Sequence, residues 1–145
     1  MSYRIRFSNN DCVACNACYM ACIDQNDIDF SKGDESFRKP LEYEKRSLAN
    51  AEHGLCRHCS NARCIGACPV GCIYRDEETG FAVYDDSRCI RCGKCSEACP
   101  FGAIHFRGDG RVGKCDGCNE RVRNGLMPAC VQCCPTSCIT LEECK

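Results

Sequence analysis

The sequence has no tryptophan, five prolines and three methionines, and aromatic residues make up only 8% of it. Large apolar side chains are what a chain of 145 residues ordinarily buries, so a core built from them alone would be thin. No run of about eighteen apolar residues occurs, which excludes a membrane-crossing helix in this sequence. The stretch Met1 to Asn10 has neither an apolar signal region nor a small-residue cleavage site, so nothing in it directs the chain to an oxidising compartment. Also missing are a nucleophile paired with a base, a phosphate-binding glycine loop and a flavin motif. No basic patch interleaved with aromatics points to nucleic acid. These absences argue against an enzyme acting alone.

What the chain does have is cysteine. There are twenty, about one residue in seven, and they inflate the hydrophobic fraction of 44%. In a secreted chain this density would suggest a disulfide scaffold, but no export signal accompanies it. A module this small needs some staple beyond burial, and bound metal is the alternative. Residues 56 to 106 organise the rest. They read Cys56-x-x-Cys59-x4-Cys64-x3-Cys68-Pro69, then Cys89-x-x-Cys92-x-x-Cys95-x3-Cys99-Pro100. The second run has the spacing of a bacterial ferredoxin cluster motif, and the first differs by two extra residues in one gap. Paired CxxC units also bind zinc, although zinc sites rarely place three cysteines in one CxxCxxC loop before Cys-Pro.

The chemistry accounts for the spacing. Three closely spaced thiolates on a tight loop wrap three corners of an iron-sulfur cubane, with backbone amides aimed at the sulfurs. The fourth cysteine, ahead of the proline, faces away and in two-cluster ferredoxins ligates the neighbouring cluster. Cys56, Cys59, Cys64 and Cys99 therefore form one ligand set (b), and Cys89, Cys92, Cys95 and Cys68 a second (c).

Taken in order, Tyr3, Ile5 and Phe7 alternate with Arg4 and Arg6 as in a half-buried strand, and Asn9-Asn10-Asp11 reads as a turn. Cys12, Cys15, Cys18 and Cys22 form another full motif, with Ile23 in the place of the proline, so the chain is expected to run on. Residues 23–55 lack cysteine and divide into an acidic half (Asp24, Asp27, Asp29, Asp34, Glu35) and a basic half (Arg38, Lys39, Lys45, Arg46), broken by Gly33 and Pro40. They read either as a solvated loop or as a docking surface with Ile28, Phe30, Phe37, Leu41 and Tyr43 as apolar anchors. Three copies of one unit follow at Cys68 to Tyr74, Cys99 to His105 and Cys134 to Thr140, each a Cys-Pro exit, a short turn and a strand. Phe81 to Tyr84 supplies a further strand, and Thr79-Gly80 makes a hairpin with Cys72 to Arg75 plausible. In the last motif Cys115, Cys118, Cys130 and Cys134 are separated by a charged turn, Asn119 to Pro128. By elimination the first and last motifs pair around the central one. Cys12, Cys15, Cys18 and Cys134 then form set a, and Cys115, Cys118, Cys130 and Cys22 set d.

The expected fold is α+β, small and loop-rich, with two ferredoxin-like modules of two [4Fe-4S] clusters each, one nested inside the other and stabilised by the clusters. Residues 1–22 with 107–145 make the outer module, 23–55 the polar insertion and 56–106 the central module. Cys72 and Cys138 stand where the second repeat has Ala103 and read as small buried hydrophobes; Cys133 and Cys144 stay unassigned. His53, His58 and His105 are not expected to ligate iron, because each set already holds four thiols. Arg57, Arg63, Arg88, Arg91, Lys94, Lys114 and Arg121 lie beside the ligands, either offsetting cluster charge or as ordinary surface bases.

With four motifs in this order, Leu55-Cys-Arg-His-Cys59 before the second, Cys115-Asp-Gly-Cys118 opening the fourth and Pro128-Ala-Cys130 closing its gap, the chain resembles a known family. It is similar to the four-cluster iron-sulfur subunits of the dimethyl sulfoxide reductase and formate dehydrogenase type. The resemblance implies a non-catalytic subunit with four [4Fe-4S] clusters, relaying electrons to or from a large catalytic subunit that binds molybdopterin with molybdenum or tungsten. It departs at Ile23 and in ending six residues after Ile139, without the extension common where such subunits meet a membrane anchor. Similar four-cluster proteins serve hydrogenases, carbon monoxide dehydrogenases and formate hydrogen lyases. A free soluble polyferredoxin and a colourless zinc or disulfide protein are the readings from other classes. Reduced thiols without a signal favour the cytoplasm, or export in the folded state on a partner that carries a twin-arginine signal.

Overall fold

The computed structural model describes residues 2–8, 10–39 and 55–144. Leu41, Tyr43, Lys45, Arg46 and His53, with the break at Pro40, lie outside them, as does Asn9 of the expected first turn. Short helices alternate with three two-stranded antiparallel sheets. Strand β1 (Ser2–Phe7) pairs with β6 (Ile139–Cys144), β2 (Ile73–Arg75) with β3 (Ala82–Tyr84), and β4 (His105–Phe106) with β5 (Val112–Gly113). The helices are α1 (Ala17–Gln25), α2 (Arg63–Ala67), α3 (Lys94–Ala98), α4 (Asn119–Arg123) and α5 (Ala129–Cys133). Helix α1 packs on α5, and α2 on α3. Among the described residues no helix is long and apolar enough to cross a membrane.

Local chemistry explains the elements. In β1 the alternation places Tyr3, Ile5 and Phe7 half-buried and Arg4 and Arg6 in solvent. Its register, Ser2 opposite Cys144 through Phe7 opposite Ile139, ties the two ends of the described chain together. The Thr79-Gly80 hairpin forms because Asp76 accepts from the amides of Glu78 and Thr79 and from the Thr79 hydroxyl, while Gly80 takes a φ of 77°. With isoleucine in place of proline after Cys22, α1 continues through Ile23 to Gln25. Four of the five helices are only five residues long and would not persist in isolation.

One expectation is corrected, and one segment is described only over part of its length. Residues 23–39, after Cys22, are packed in part against the cysteine they follow. Ile28 and Phe37 pack on Cys22, and only Phe30 of the described anchors is exposed. The stretch from Asn119 is not simply a turn: α4 forms first, because Asn119 is fixed by Thr79 and Asp76, and Val122 docks on Phe81 and Val83.

The described residues form no single hydrophobic core. Buried apolar residues form four small groups, and cysteine belongs to three of them. One polar contact pins the segment after Cys22. The Arg107 guanidinium donates to Asp34 Oδ2 at 2.9 Å and to the carbonyls of Asp27 and Asn26, while Gly108 N–H donates to Asp34 Oδ1 at 2.9 Å. Both side chains are largely buried. The Arg107 guanidinium, then the Gly108 amide, hold the Asp34 carboxyl well below the usual carboxylate range. A depressed carboxylate contributes stability that is present above about pH 4 and lost as pH falls towards its folded value. Asp34→Ala is expected to cost on the order of 3–5 kcal/mol, since it leaves Arg107 buried without its partner. Denaturant unfolding at neutral pH measures this, and the acid limb of the stability profile flattens in the variant.

Gly117 supplies a second test. Its φ is 75°, and a Cβ there would meet the Phe81 ring at 2.5 Å, with Phe81 fully buried. Gly117→Ala is expected to lose about 1–3 kcal/mol by overpacking, read as a lower unfolding midpoint.

Candidate metal centres

The four cysteine loops share one backbone device. In the first Cys-x-x-Cys of each loop the second spacer lies in the left-handed region: Ala14 at φ 55°, His58 at 45°, Arg91 at 57° and Gly117 at 75°. Left-handed φ is costly without glycine, so three such residues at the same step mark loops held by their surroundings. The turn aims amides at sulfur. Ala14 N–H donates to Cys12 Sγ at 3.4 Å, Arg91 N–H to Cys89 Sγ at 3.4 Å and Gly117 N–H to Cys115 Sγ at 3.3 Å. The Cys-Pro exits repeat a second device, with left-handed Gly71, Gly102 and Ser137 three residues after the cysteine. Cys72 N–H thereby reaches Cys68 Sγ at 3.2 Å.

Four cavities open between the loops, each enclosing about 310 to 500 Å³ with the space open to solvent included. Cys12, Cys15, Cys18 and Cys134 line the first (cage a), and Cys56, Cys59, Cys64 and Cys99 the second (cage b). Cage c is lined by Cys68, Cys89, Cys92 and Cys95, and cage d by Cys22, Cys115, Cys118 and Cys130. Among the described residues no three cysteine, histidine, aspartate or glutamate side chains converge on a point where one ion would sit. A tetrahedral zinc site needs sulfurs about 2.3 Å from a single ion. Thiols spaced around a volume instead fit a multi-iron cluster, and the amides aimed at them fit its charge.

The extra cysteines are placed too. Cys72 and Cys138 are buried against cages c and a, and Cys138 Sγ lies 3.4 Å from Cys134 Sγ. Cys133 Sγ lies 3.5 Å from the Cys130 carbonyl, and Cys144 pairs with Ser2 in the terminal sheet.

Burial dominates the electrostatics. It pushes the Cys115 thiol well above its ordinary value, with the charge of Cys56 adding to it, and raises Cys130 to about 11. Cys134 is opposed by burial but receives hydrogen bonds from Cys138 and Thr136, which bring it down to about 7. Two cations enter this environment. Lys114 is only 4% exposed and its ammonium donates to the carbonyls of Ala82 and Cys115, between cages b and d. Arg38 lines cage d; burial opposes its charge, but Cys130, Cys18 and Cys115 outweigh that and raise its pKa. Of the bases singled out beside the motifs, Lys114 is buried among the cages. Arg57 stacks on the Phe101 ring at 4.1 Å, Arg91 donates to the Asp109 carbonyl, and Arg121 to Met127 and Gln132. Arg38 was not legible as a site residue, because its stretch carries no cysteine and nothing in its spacing points to a cage.

The histidines separate cleanly. His105 contacts the Glu35 carbonyl at 3.1 Å, whereas His58 lines cage b and is driven neutral, its pKa pushed down to about 3 by burial and then by the charges of Lys114 and Arg75.

The comparisons agree with this chemistry. Residues 51–144 match the family model described as a 4Fe-4S dicluster domain. A probable anaerobic dimethyl sulfoxide reductase chain of Escherichia coli is 34% identical over 148 residues, covering 92% of this chain and 69% of that protein. The thiosulfate reductase electron transfer subunit of Salmonella typhi is 40% identical over 131 residues, 86% of this chain and 67% of its own length. The selenate reductase beta subunit of Thauera selenatis is 47% identical over 81 residues, 55% of this chain and 25% of that one. With the iron-sulfur match spanning most of its length, the chain belongs to the 4Fe-4S dicluster family.

Proposed function

We propose that this chain is the electron-transfer subunit of a molybdenum- or tungsten-dependent oxidoreductase and holds four [4Fe-4S] clusters. The observation that carries the reading is the succession of four cysteine cages. Cage d also touches Cys56 of cage b. Arg38 lines cage d, and its charge is supported by Cys18 of cage a as well as by Cys130 and Cys115. Cages b and c exchange their last cysteines through the packed helices α2 and α3. The order that results is a, d, b, c.

The two ends of this order differ from its middle. Each end cage has one exposed cysteine, Cys15 in a and Cys92 in c, while the cysteines of b and d are all partly or fully buried. Exposed Val13 lines cage a, and exposed Ile90 and Phe106 line cage c. Such apolar rims suit contact with a donor on one side and an acceptor on the other. A cluster bound in each cage supplies one-electron storage. The chain's part is to hold four thiolates per cage, aim amides at them, bring Lys114 and Arg38 close, and keep the middle cages from water. The likeness to a thiosulfate reductase electron transfer subunit supports a non-catalytic role, with the catalytic subunit supplied by a partner. The nested reading is supported by contacts of β1 with β6 and of α1 with α5, which join the first and last motifs, and of α2 with α3 in the central stretch.

Metal analysis of the complex purified anaerobically with this chain tests the partner. One molybdenum or tungsten per copy of the chain is expected. Nickel, or iron with neither metal, would contradict the proposal and favour a hydrogenase or carbon monoxide dehydrogenase partner.

Ligation is tested separately with Cys99→Ser. Because Cys99 lines cage b although its own motif lines cage c, the expected change falls on the spectrum and potential of the cluster held by Cys56, Cys59 and Cys64. A change confined to the cluster of Cys89, Cys92 and Cys95 would contradict the crossed ligation.

A further inference from the structure

His58 is the third residue of the loop Cys56-Arg-His-Cys59 and lines cage b together with those two cysteines. Its ring is fixed from two sides. The Ala82 backbone N–H donates to Nδ1 at 3.1 Å, and the ring packs on Phe81 with centroids 4.8 Å apart. A backbone amide can only donate, so Nδ1 is the acceptor, and the single proton of the neutral imidazole sits on Nε2. That atom is fully buried and has no hydrogen-bond partner among the described residues. An unpaired buried donor is costly, and the side chain is held in a loop whose φ of 45° at His58 is itself unfavourable. A packed ring with a bare buried N–H needs an acceptor, and the cavity that His58 lines with Cys56, Cys59, Cys64 and Cys99 is the space in which one would be held.

We infer that His58 donates a hydrogen bond from Nε2–H to the sulfur of the cluster held in cage b and so sets the potential of that cluster above what its thiolates alone would give. The inference rests on the four-cage reading. It makes His58 a tuning residue and not a ligand. The proton stays on Nε2 throughout; the hydrogen bond is stronger to the more negative, reduced cluster, and this difference favours reduction.

Two substitutions divide the donor role from the structural one. His58→Asn keeps an oxygen that can accept from Ala82 N–H and tolerates the left-handed backbone, but lacks the outer donor. His58→Gln places an N–H at the reach of Nε2. In the intact complex, EPR-monitored titration of His58→Asn is expected to show one cluster reduced about tenfold less readily, a fall of about 59 mV, with the other three unchanged. His58→Gln is expected to recover most of it. Pulsed EPR on wild-type complex labelled with ¹⁵N-histidine is expected to show a nitrogen coupling to one reduced cluster that disappears in His58→Gln. Absence of that coupling in the wild type would overturn the inference even if the variants fail to load iron. Equal potentials in wild type and His58→Asn would overturn it as well. A wild-type chain with fewer than four clusters would instead sink the reading beneath it, before any variant is made.

Discussion

The gathering of sixteen thiols in fours around small enclosed volumes is the constraint on which the rest of this structure depends. Burial makes some of these thiols resist ionisation, Cys115 and Cys130 most of all, while hydrogen bonds bring Cys134 down. On the proposed reading a bound cluster would remove that penalty by taking the thiolates as ligands, which would couple loading to folding. Little else in the chain could take over this task. The helices are a turn or two long, the sheets have two strands each, and the apolar residues form four separate groups. On the proposed reading, the stapling that a small domain needs would come from clusters held in the cages.

Helix geometry then links the cages. Cys18 and Cys22 both lie on α1, four residues apart, which displaces them by about 6 Å along the axis. Cys18 closes its own loop's cage, while Cys22 reaches the cage of the helix packed opposite. The same four-residue step separates Cys64 from Cys68 and Cys95 from Cys99, and the same exchange occurs between b and c. Spacing therefore fixes how cages neighbour one another as well as how each is filled. Lys114 and Arg38 sit where neighbouring cages bring like charge together, and a carbonyl pair holds Lys114 there.

Much of this was legible in the sequence for a physical reason. Cluster loops demand fixed cysteine intervals, and the intervals survive as text. Strand β1 was equally readable, because its alternation is local, and Thr79-Gly80 marked its hairpin through turn chemistry. The segment after Cys22 was not readable. Its polar composition suggested a loop, but Asp34 is buried by Arg107, more than seventy positions away, and Phe37 by Cys22. The helix at Asn119 was missed likewise, because Thr79 and Asp76 fix its first residue from a distant hairpin. Arg38 and the lone outward N–H of His58 depend on where loops meet, which no spacing records.

The most direct test of the account is iron and acid-labile sulfide per chain in protein isolated without oxygen. Four cages of four thiols predict about sixteen of each, released together with cooperative unfolding when a chelator strips the iron. A chain that keeps its native fold with half that iron or less, or that carries zinc in its place, would contradict the claim that these four cages are cluster sites and that the chain folds around them.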